Sequence, residues 1–249
     1  MRSLLIAQAD EQRLAEALKS GADTIIVDLA GAAAVERTGA RAAAAQFLKA
    51  ARGKSVGPVL IVRANALNSG ETDSDLDAVM PGAADAILLP GSLGATSVQQ
   101  LSAKLAVREA EFDLLDGETR IIAVADTAQS LFHVGSYRGS SGRLIAVAWS
   151  AEALRADIGA ETDRDHLGDT LGPYRLSRDL TLLAATSARV AAIDTVFLNV
   201  RDMEGLRAEA IAARRDGFTG KIALDSAQVG VINDVFPSRS MPLAKGRPS

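Results

Sequence analysis

The chain has 249 residues, of which 48% are hydrophobic and 23% charged, and its formal net charge is -4. This length is enough for one large core, and about 250 residues is typical of a single α/β barrel. The acidic balance, without a long basic run, argues against nucleic acid or an anionic membrane as a partner. The chain has no cysteine, which excludes disulfides, thiolate zinc sites and a cysteine nucleophile.

The N-terminal segment lacks the pattern of a signal peptide. Its apolar run in MRSLLIAQADEQ is short, and acidic residues follow at once. No stretch of the sequence approaches the roughly 18 consecutive apolar residues of a membrane span. We therefore expect a cytoplasmic protein that has no membrane partner.

Eight short apolar runs alternate with helical patterns along the chain. They are apolar on both faces, which is typical of parallel strands covered by helices. The predicted strands are Leu4–Ile6, Thr24–Val27, Val59–Val62, Ala86–Leu89, Ile121–Ala125, Leu144–Val147, Thr195–Leu198 and Ile222–Leu224. The predicted helices are Glu11–Lys19, Gly39–Ala51, Ser97–Glu109, Leu180–Ala188 and Met203–Asp216. This alternation predicts a closed (β/α)8 barrel, a TIM barrel, as a single domain over residues 1–236.

An open doubly wound sheet is the alternative fold, but it usually carries a glycine-rich turn after its first strand. Here that strand leads into Ala7-Gln8-Ala9-Asp10, which has no glycine. The polar segment 161–174 is expected to form a long loop over the barrel mouth. The tail, residues 237–249, is rich in Pro, Ser and basic residues, so it is either a disordered end or an arm on a neighbouring subunit.

Polar residues that follow the strands are the candidate site residues, because a barrel of this kind works at the C-terminal ends of its strands. The set is Asp28, Arg63, Pro90, Asp126, Ser150, Glu152, Asn199, Arg201 and Asp225. Arg63 indicates an anionic substrate such as a small carboxylate. Asp126 offers an oxygen ligand to a hard cation such as Mg²⁺.

Each candidate could also have a purely structural role. Asp28 and Asp126 are good N-caps for the helices that follow them. Arg63 and Asp28 could instead form a buried structural ion pair across adjacent strands. Glu152 is favourable in the first turn of any helix.

Other reactive side chains give weaker signals. Neither His133 nor His166 has the spacing of a metal ligand. Lys221 is expected just before strand eight, at the face opposite the site, which makes it a poor Schiff-base candidate. The segment Gly139-Ser140-Ser141-Gly142 is predicted to be an ordinary turn rather than a phosphate-binding loop, since no strand precedes it and no lysine follows it.

Several segments, in order along nearly the whole chain, match one known family. The longest are 193–206, 214–221 and 226–236, and shorter ones are Arg2–Leu5, Val27–Leu29, Val62–Asn65, Leu89–Pro90 and Asp126–Ala128. With these motifs the chain resembles the citrate lyase β-subunit family, within the wider HpcH/HpaI aldolase group.

The resemblance implies a (β/α)8 barrel that assembles as a homotrimer or hexamer. It also implies a lyase that cleaves carbon–carbon bonds in acyl-CoA-type thioesters or hydroxy-oxo acids, with Mg²⁺ stabilising the enolate. It makes Asp28 and Arg63 catalytic residues, and Arg63, Pro90 and Ser150 substrate-binding residues. It makes Asp126 and Glu152 metal ligands, although the second ligand position of the family falls on Ala153.

The sequence departs from the family at several site positions. Two later carboxylates of the strand-two motif are Ala30 and Gly31, and a lysine after strand four is Gly91. Losing carboxylates should weaken Mg²⁺ binding, because hard cations select for oxygen number and charge. Three hypotheses follow: a lyase with an altered substrate, a catalytically silent binding or assembly subunit, and a metal-free carboxylate sensor.

Overall fold

Eight parallel strands close into a barrel in which each strand pairs with its neighbours in chain order. The computed structural model describes residues 1–52, 57–166 and 168–237. The strands are β1 (Ser3–Gln8), β2 (Thr24–Asp28), β3 (Val59–Arg63), β4 (Ala86–Leu89), β5 (Arg120–Ala125), β6 (Leu144–Trp149), β7 (Ala191–Asp194) and β8 (Gly220–Ala223). The predicted (β/α)8 barrel is confirmed.

Helices surround this barrel on the outside. In the described part of the chain they are α1 (Glu11–Ala17), α2 (Arg37–Arg52), α3 (Thr72–Val79), α4 (Ala95–Glu111), α5 (Ala128–Leu131), α6 (Ala151–Ile158), α7 (Gly172–Ala188), α8 (Met203–Asp216) and α9 (Ser226–Val235). Among these residues no helix combines the length and apolar character needed to cross a membrane. The helix α5 is a single turn, followed by a 3₁₀ turn at Val134–Tyr137.

Several helices begin on a polar residue that lies between strand and helix. Asp10, Thr127, Ser150, Asp202 and Asp225 each accept a hydrogen bond from a backbone N–H in the first turn of the following helix. Such a cap stabilises a helix by about 1 kcal/mol, because the first N–H groups have no partner inside the helix.

The barrel interior is a packed core and not a pore. Alternate strand residues fill it, and they are Leu4, Ile26, Ile61, Ala86, Leu88, Ile122, Val124, Ala146, Ala148 and Ile193. The opposite set of strand residues packs against the helices. A ligand therefore has access only to the ends of the barrel or to its outer surface.

The seventh strand is shifted relative to the sequence prediction. The predicted strand Thr195–Leu198 is wrong, because the strand is Ala191–Asp194 and the apolar run after it lies in a loop. Leu198 is 56% exposed. Val, Phe and Leu favour strands more than Ala does, but pairing of Ala191 with Ala146 and of Ile193 with Gly220 decides the register. The candidates Asn199 and Arg201 consequently lie in this exposed loop.

Most of the segment 161–174, expected to form a long loop, lies in the connection between α6 and α7, and its last three residues begin α7. Only residues 159–171 connect α6 to α7, and α7 begins at Gly172, well before the predicted Leu180. Pro173 lies at the start of α7, where its fixed φ angle and missing N–H are tolerated. The predicted helix start at Leu180 is wrong, because Gly172-Pro173, a pair typical of turns, begins α7 here. Of the predicted tail, residues 238–249 lie outside the described residues.

Candidate active site at the barrel mouth

Three of the predicted site residues face the inside of the barrel at its C-terminal rim. The inner cluster includes the residue two positions before each of Asp28, Arg63 and Asp126. Because side chains alternate along a strand, all three point inward at the mouth. The fold thus brings together residues that are up to 98 positions apart in the sequence.

The first pair at the mouth is Asp28 and Arg63, which lie opposite each other on β2 and β3. Arg63 Nη1 donates to both carboxylate oxygens of Asp28, at 3.2 and 3.4 Å. The Asp28 side chain is 10% exposed and that of Arg63 is 31% exposed. The other guanidinium nitrogens of Arg63 donate to none of the described residues, so they are available to a ligand.

Gly31 explains one departure from the family motif. Its N–H donates to Asp28 Oδ1 at 3.1 Å. A Cβ atom at this position would lie 2.6 Å from Asp28 Oδ2. A side chain at position 31 would therefore displace the Asp28 carboxylate and disturb its pairing with Arg63.

The second feature of the mouth is the buried carboxyl group of Asp126. It accepts the Gly91 N–H at 2.7 Å. Burial raises the pKa of Asp126 to about 6, although the Gly91 hydrogen bond and the Arg63 charge both lower it. The carboxylate of Asp157, which accepts the Ala128 N–H at 2.7 Å, raises this pKa further. Asp126 therefore exchanges a proton near neutral pH.

Neither mouth aspartate is a helix cap. Thr127 caps α5 through a reciprocal pair of hydrogen bonds with Ser130, so Asp126 is not needed there. The Gly31 bond to Asp28 closes a turn, and α2 begins only at Arg37. The alternative that Asp28 and Asp126 serve as helix N-caps is therefore wrong.

The remaining predicted residues differ in their positions. Pro90 is buried directly after β4 and precedes Gly91. The Ser150 hydroxyl accepts the Ala153 N–H at 3.2 Å as the cap of α6. Glu152 is exposed in the first turn of α6 and lines an outer groove with residues 194–199. No contact joins Glu152 to Asp126 within the described residues.

The donor groups at the mouth do not fit the two-carboxylate magnesium site that the family implies. Asp126 is the one inward carboxyl after β5, and one of its oxygens already accepts Gly91 N–H. Ala153, at the second family position, provides no oxygen ligand from its side chain.

Tyr137 and Ser92 form part of the site environment without a sequence signal. The buried Tyr137 hydroxyl donates to the Ser92 carbonyl oxygen at 3.3 Å. Burial raises the pKa of Tyr137 to about 12, and the negative charge of Asp126 adds to the shift. The Tyr137 hydroxyl therefore stays protonated and uncharged at neutral pH. No motif marks it, because only the 3₁₀ turn after α5 brings it there.

Lys221 lies inside β8, and the prediction that it precedes the strand is wrong. It is fully buried and points outward, where its Nζ donates to Asp194 at 2.9 Å and to Glu209 at 2.7 Å. Burial alone would lower the pKa of Lys221, but the two carboxylates outweigh it and raise the pKa. The lysine is therefore a charged structural residue away from the mouth.

The geometry defines a class of protein, a parallel α/β barrel with a partly exposed arginine and a buried carboxyl group at its mouth. A family model described as HpcH/HpaI aldolase/citrate lyase matches residues 2–226. The chain belongs to this family, and the resemblance in its motifs is confirmed.

Curated relatives agree with this assignment. The citrate lyase subunit beta of Leuconostoc mesenteroides subsp. cremoris is 31% identical over 217 residues, which cover 87% of this chain and 70% of that protein. A (3S)-malyl-CoA thioesterase of Cereibacter sphaeroides is 30% identical over 235 residues, covering 94% and 75%. For the Escherichia coli citrate lyase subunit beta, which is 30% identical, the match covers 71% of this chain but 57% of the relative.

Solved structures show the same barrel. CitE from Mycobacterium tuberculosis, in complex with magnesium, acetoacetate and coenzyme A, superposes with a TM-score of 0.80 at 27% identity, covering 95% of this chain and 81% of that chain. RipC from Yersinia pestis gives a TM-score of 0.76 at 26% identity, with 96% of each chain covered. Magnesium and coenzyme A are ligands of the first of these proteins.

Proposed function

We propose that this protein is a lyase that cleaves a carbon–carbon bond in a small hydroxyacyl thioester, such as an acyl-CoA, or in a hydroxy-oxo acid. The observation that supports this most strongly is the placement of Arg63 and Asp126 at one rim. Arg63 has guanidinium N–H groups to spare for a substrate carboxylate, and Asp126 has a pKa near 6. In this proposal Asp28 holds Arg63 in position, while Pro90 and Ser150 bound the substrate space.

The proton chemistry follows from the position of Asp126. As a carboxylate it takes the proton of the substrate hydroxyl, whose oxygen then forms a carbonyl double bond. The carbon–carbon bond breaks, and its electron pair moves to the carbon beside the thioester or keto carbonyl to form an enolate. Protonated Asp126 returns the proton to that carbon. A group with a pKa near the working pH is well suited to both transfers.

The family's cofactor is Mg²⁺, and the donor groups here do not fit its two-carboxylate site. The proposed chemistry therefore uses Arg63 and Asp126 alone, and Glu152 is assigned no metal. Magnesium titration by calorimetry in the presence of oxaloacetate measures whether the protein binds the metal. Tight binding at micromolar metal would show that further ligands come from elsewhere and would overturn the metal-free proposal.

A second candidate is a catalytically silent subunit that binds a carboxylate. It is favoured by one specific observation, the loss of carboxylates at Gly31 and Ala153. Such a protein would keep the Asp28–Arg63 pair as a binding element and would have no turnover.

One experiment separates the two candidates. Purified protein is given malyl-CoA, citryl-CoA and citramalyl-CoA, and release of the oxo acid is followed together with calorimetric binding of that acid. We expect turnover that is lost in Arg63→Ala and Asp126→Asn but retained in Arg138→Ala, an exposed arginine outside the mouth. Binding without turnover above the Arg63→Ala background would establish the silent subunit, and neither binding nor turnover would overturn both candidates.

We also propose that the protein is a cytoplasmic homo-oligomer, a trimer or hexamer. The apolar side chains of Val35, Phe132 and Leu183 are 93%, 89% and 65% exposed, and burying any of them against another copy would stabilise an assembly. Sedimentation at micromolar concentration tests this, and a stable monomer would contradict it.

A further inference from the structure

A second pocket, of about 560 Å³, opens on the outer surface of the barrel. It lies between α4 and the turn that leads into β6. The residues that form its polar wall are Ser102, Asp116, Arg120, Ser140, Ser141 and Arg143. Because the turn precedes β6, this pocket is at the N-terminal face of the barrel, opposite the mouth.

The turn 139–142 presents donors that lack partners. Ser140 is 8% exposed, and its hydroxyl has no hydrogen-bond partner in the described part of the chain. Within the same residues, the backbone N–H groups of Ser141 and Gly142 also have no acceptor. A buried polar group without a partner is unfavourable, so a ligand that supplies an acceptor to the Ser140 hydroxyl would be stabilised here.

The hydroxyls of neighbouring elements extend this donor set. Ser102 on α4 lies 3.2 Å from the Ser141 hydroxyl, and the Ser141 hydroxyl accepts the Arg143 N–H at 3.1 Å. Hydroxyls can turn their hydrogens toward an incoming acceptor. The pocket therefore combines hydroxyl and backbone donors on one wall.

The charge of the pocket comes from Arg120. Its Nη1 donates to the Gly142 carbonyl oxygen at 3.2 Å, and no carboxylate pairs with it among the described residues. Arg143 differs, since Glu109 and Asp116 each contact it at 2.7 Å. Glu109 is satisfied further by the N–H groups of Gly117 and Thr119.

Asp116 is the acidic group at the rim. Its side chain is 89% exposed, so water and salt screen its charge. Of the two arginines that line the pocket, Arg120 is therefore the one without a carboxylate partner among the residues described.

We propose that this pocket binds the phosphate group of a small phosphomonoester. Four residues supply hydrogen-bond donors here, namely Arg120, Ser140, Ser141 and Gly142. The three terminal oxygens of a phosphate can accept from more of these donors than the two oxygens of a carboxylate can. The pocket volume leaves room for the small molecule that carries the group. The turn pattern alone predicts no phosphate site, because the cation comes from β5 and not from the residues after the turn.

Nuclear magnetic resonance titration with inorganic phosphate and with phenyl phosphate tests the proposal on the full chain. We expect saturable shifts of the amides of residues 140–143 at millimolar ligand, and an affinity about tenfold weaker in Arg120→Gln. Arg138→Gln removes an exposed arginine close by that does not line the pocket, and it should bind as the unaltered protein does. Arg63→Ala should also bind normally, because the site does not depend on the proposed lyase function.

Two further variants test whether the pocket selects for negative charge and uses the Ser140 hydroxyl. Asp116→Asn removes a negative rim charge and should tighten phosphate binding a few-fold. Ser140→Ala should weaken binding without lowering the free energy of unfolding, since its hydroxyl has no partner to lose among the described residues. The proposal is overturned by equal binding in Arg120→Gln and Arg138→Gln, by weaker binding in Asp116→Asn, or by the lack of a saturable shift.

Discussion

Two ion pairs at the barrel wall, Lys221–Asp194 and Arg63–Asp28, are built in opposite ways. Lys221 is completely enclosed, and Asp194, its partner, also accepts the Trp149 Nε1–H at 2.9 Å. Arg63 at the mouth is partly exposed, and only one of its nitrogens contacts Asp28. A saturated buried pair has no capacity left for a ligand, whereas an unsaturated one at an open rim does. The comparison separates a saturated structural pair from one that has donors left for the proposed substrate.

The largest effect on stability is expected from Lys221→Met. The change removes the cation that lies nearest to the buried carboxylate of Asp194, at 2.9 Å, and leaves only Arg178 at 3.5 Å. Breaking such a buried pair costs about 3–5 kcal/mol. Urea unfolding followed by circular dichroism measures the loss. Lys19→Met, at an exposed position, is the matched control and should change the free energy of unfolding by less than about 0.5 kcal/mol. A small effect at Lys221 would contradict its structural role.

Asp126→Asn should stabilise the protein at alkaline pH. The folded-state pKa of Asp126 is raised from 3.8 to about 6, so the native state binds its proton more tightly than the unfolded chain does. The contribution of this group is present below about pH 4 and is lost as the pH rises through 6, by about 2–3 kcal/mol. Asparagine carries no charge, so the variant does not lose this part of the free energy of unfolding as the pH rises.

The free energies of unfolding of Asp126→Asn and the unaltered protein should thus agree near pH 4 and differ above pH 7. The proposed lyase activity should rise with an apparent pKa near 6 and be absent in the variant. A difference in stability that does not depend on pH would argue against the buried, protonatable carboxyl group.

Arg63→Gln should have the smallest effect on stability and a large effect on binding. Its side chain is 31% exposed, and pairs of this kind contribute about 1 kcal/mol or less. Oxaloacetate binding, measured by calorimetry, should weaken by about 100-fold, because a charge-assisted bidentate contact is lost. A loss of stability comparable to that of Lys221→Met would show that the Arg63–Asp28 pair is also structural, and would contradict the comparison of the two pairs.

The barrel and the residues of its mouth could be predicted from the sequence. The runs at Thr24–Val27 and Val59–Val62 marked two strands correctly, and Asp28 and Arg63 followed as their terminal residues. The predictions failed at β7, where an alanine-rich segment forms the strand, and at α7, where Gly172-Pro173 begins a helix. In both cases the local preference was weak, and pairing or packing with distant segments decided the outcome.

The sequence by itself determined the fold class, the order of strands and helices, and the family, because side-chain periodicity and motifs are local properties of the chain. Only the tertiary structure decided that Asp126 is buried with a raised pKa, that Glu152 lines an outer groove, and that Lys221 is fully paired. It also placed Arg120 beside the turn at Ser140. Burial, distance and charge compensation depend on neighbours that are remote in sequence, so no local pattern encodes them.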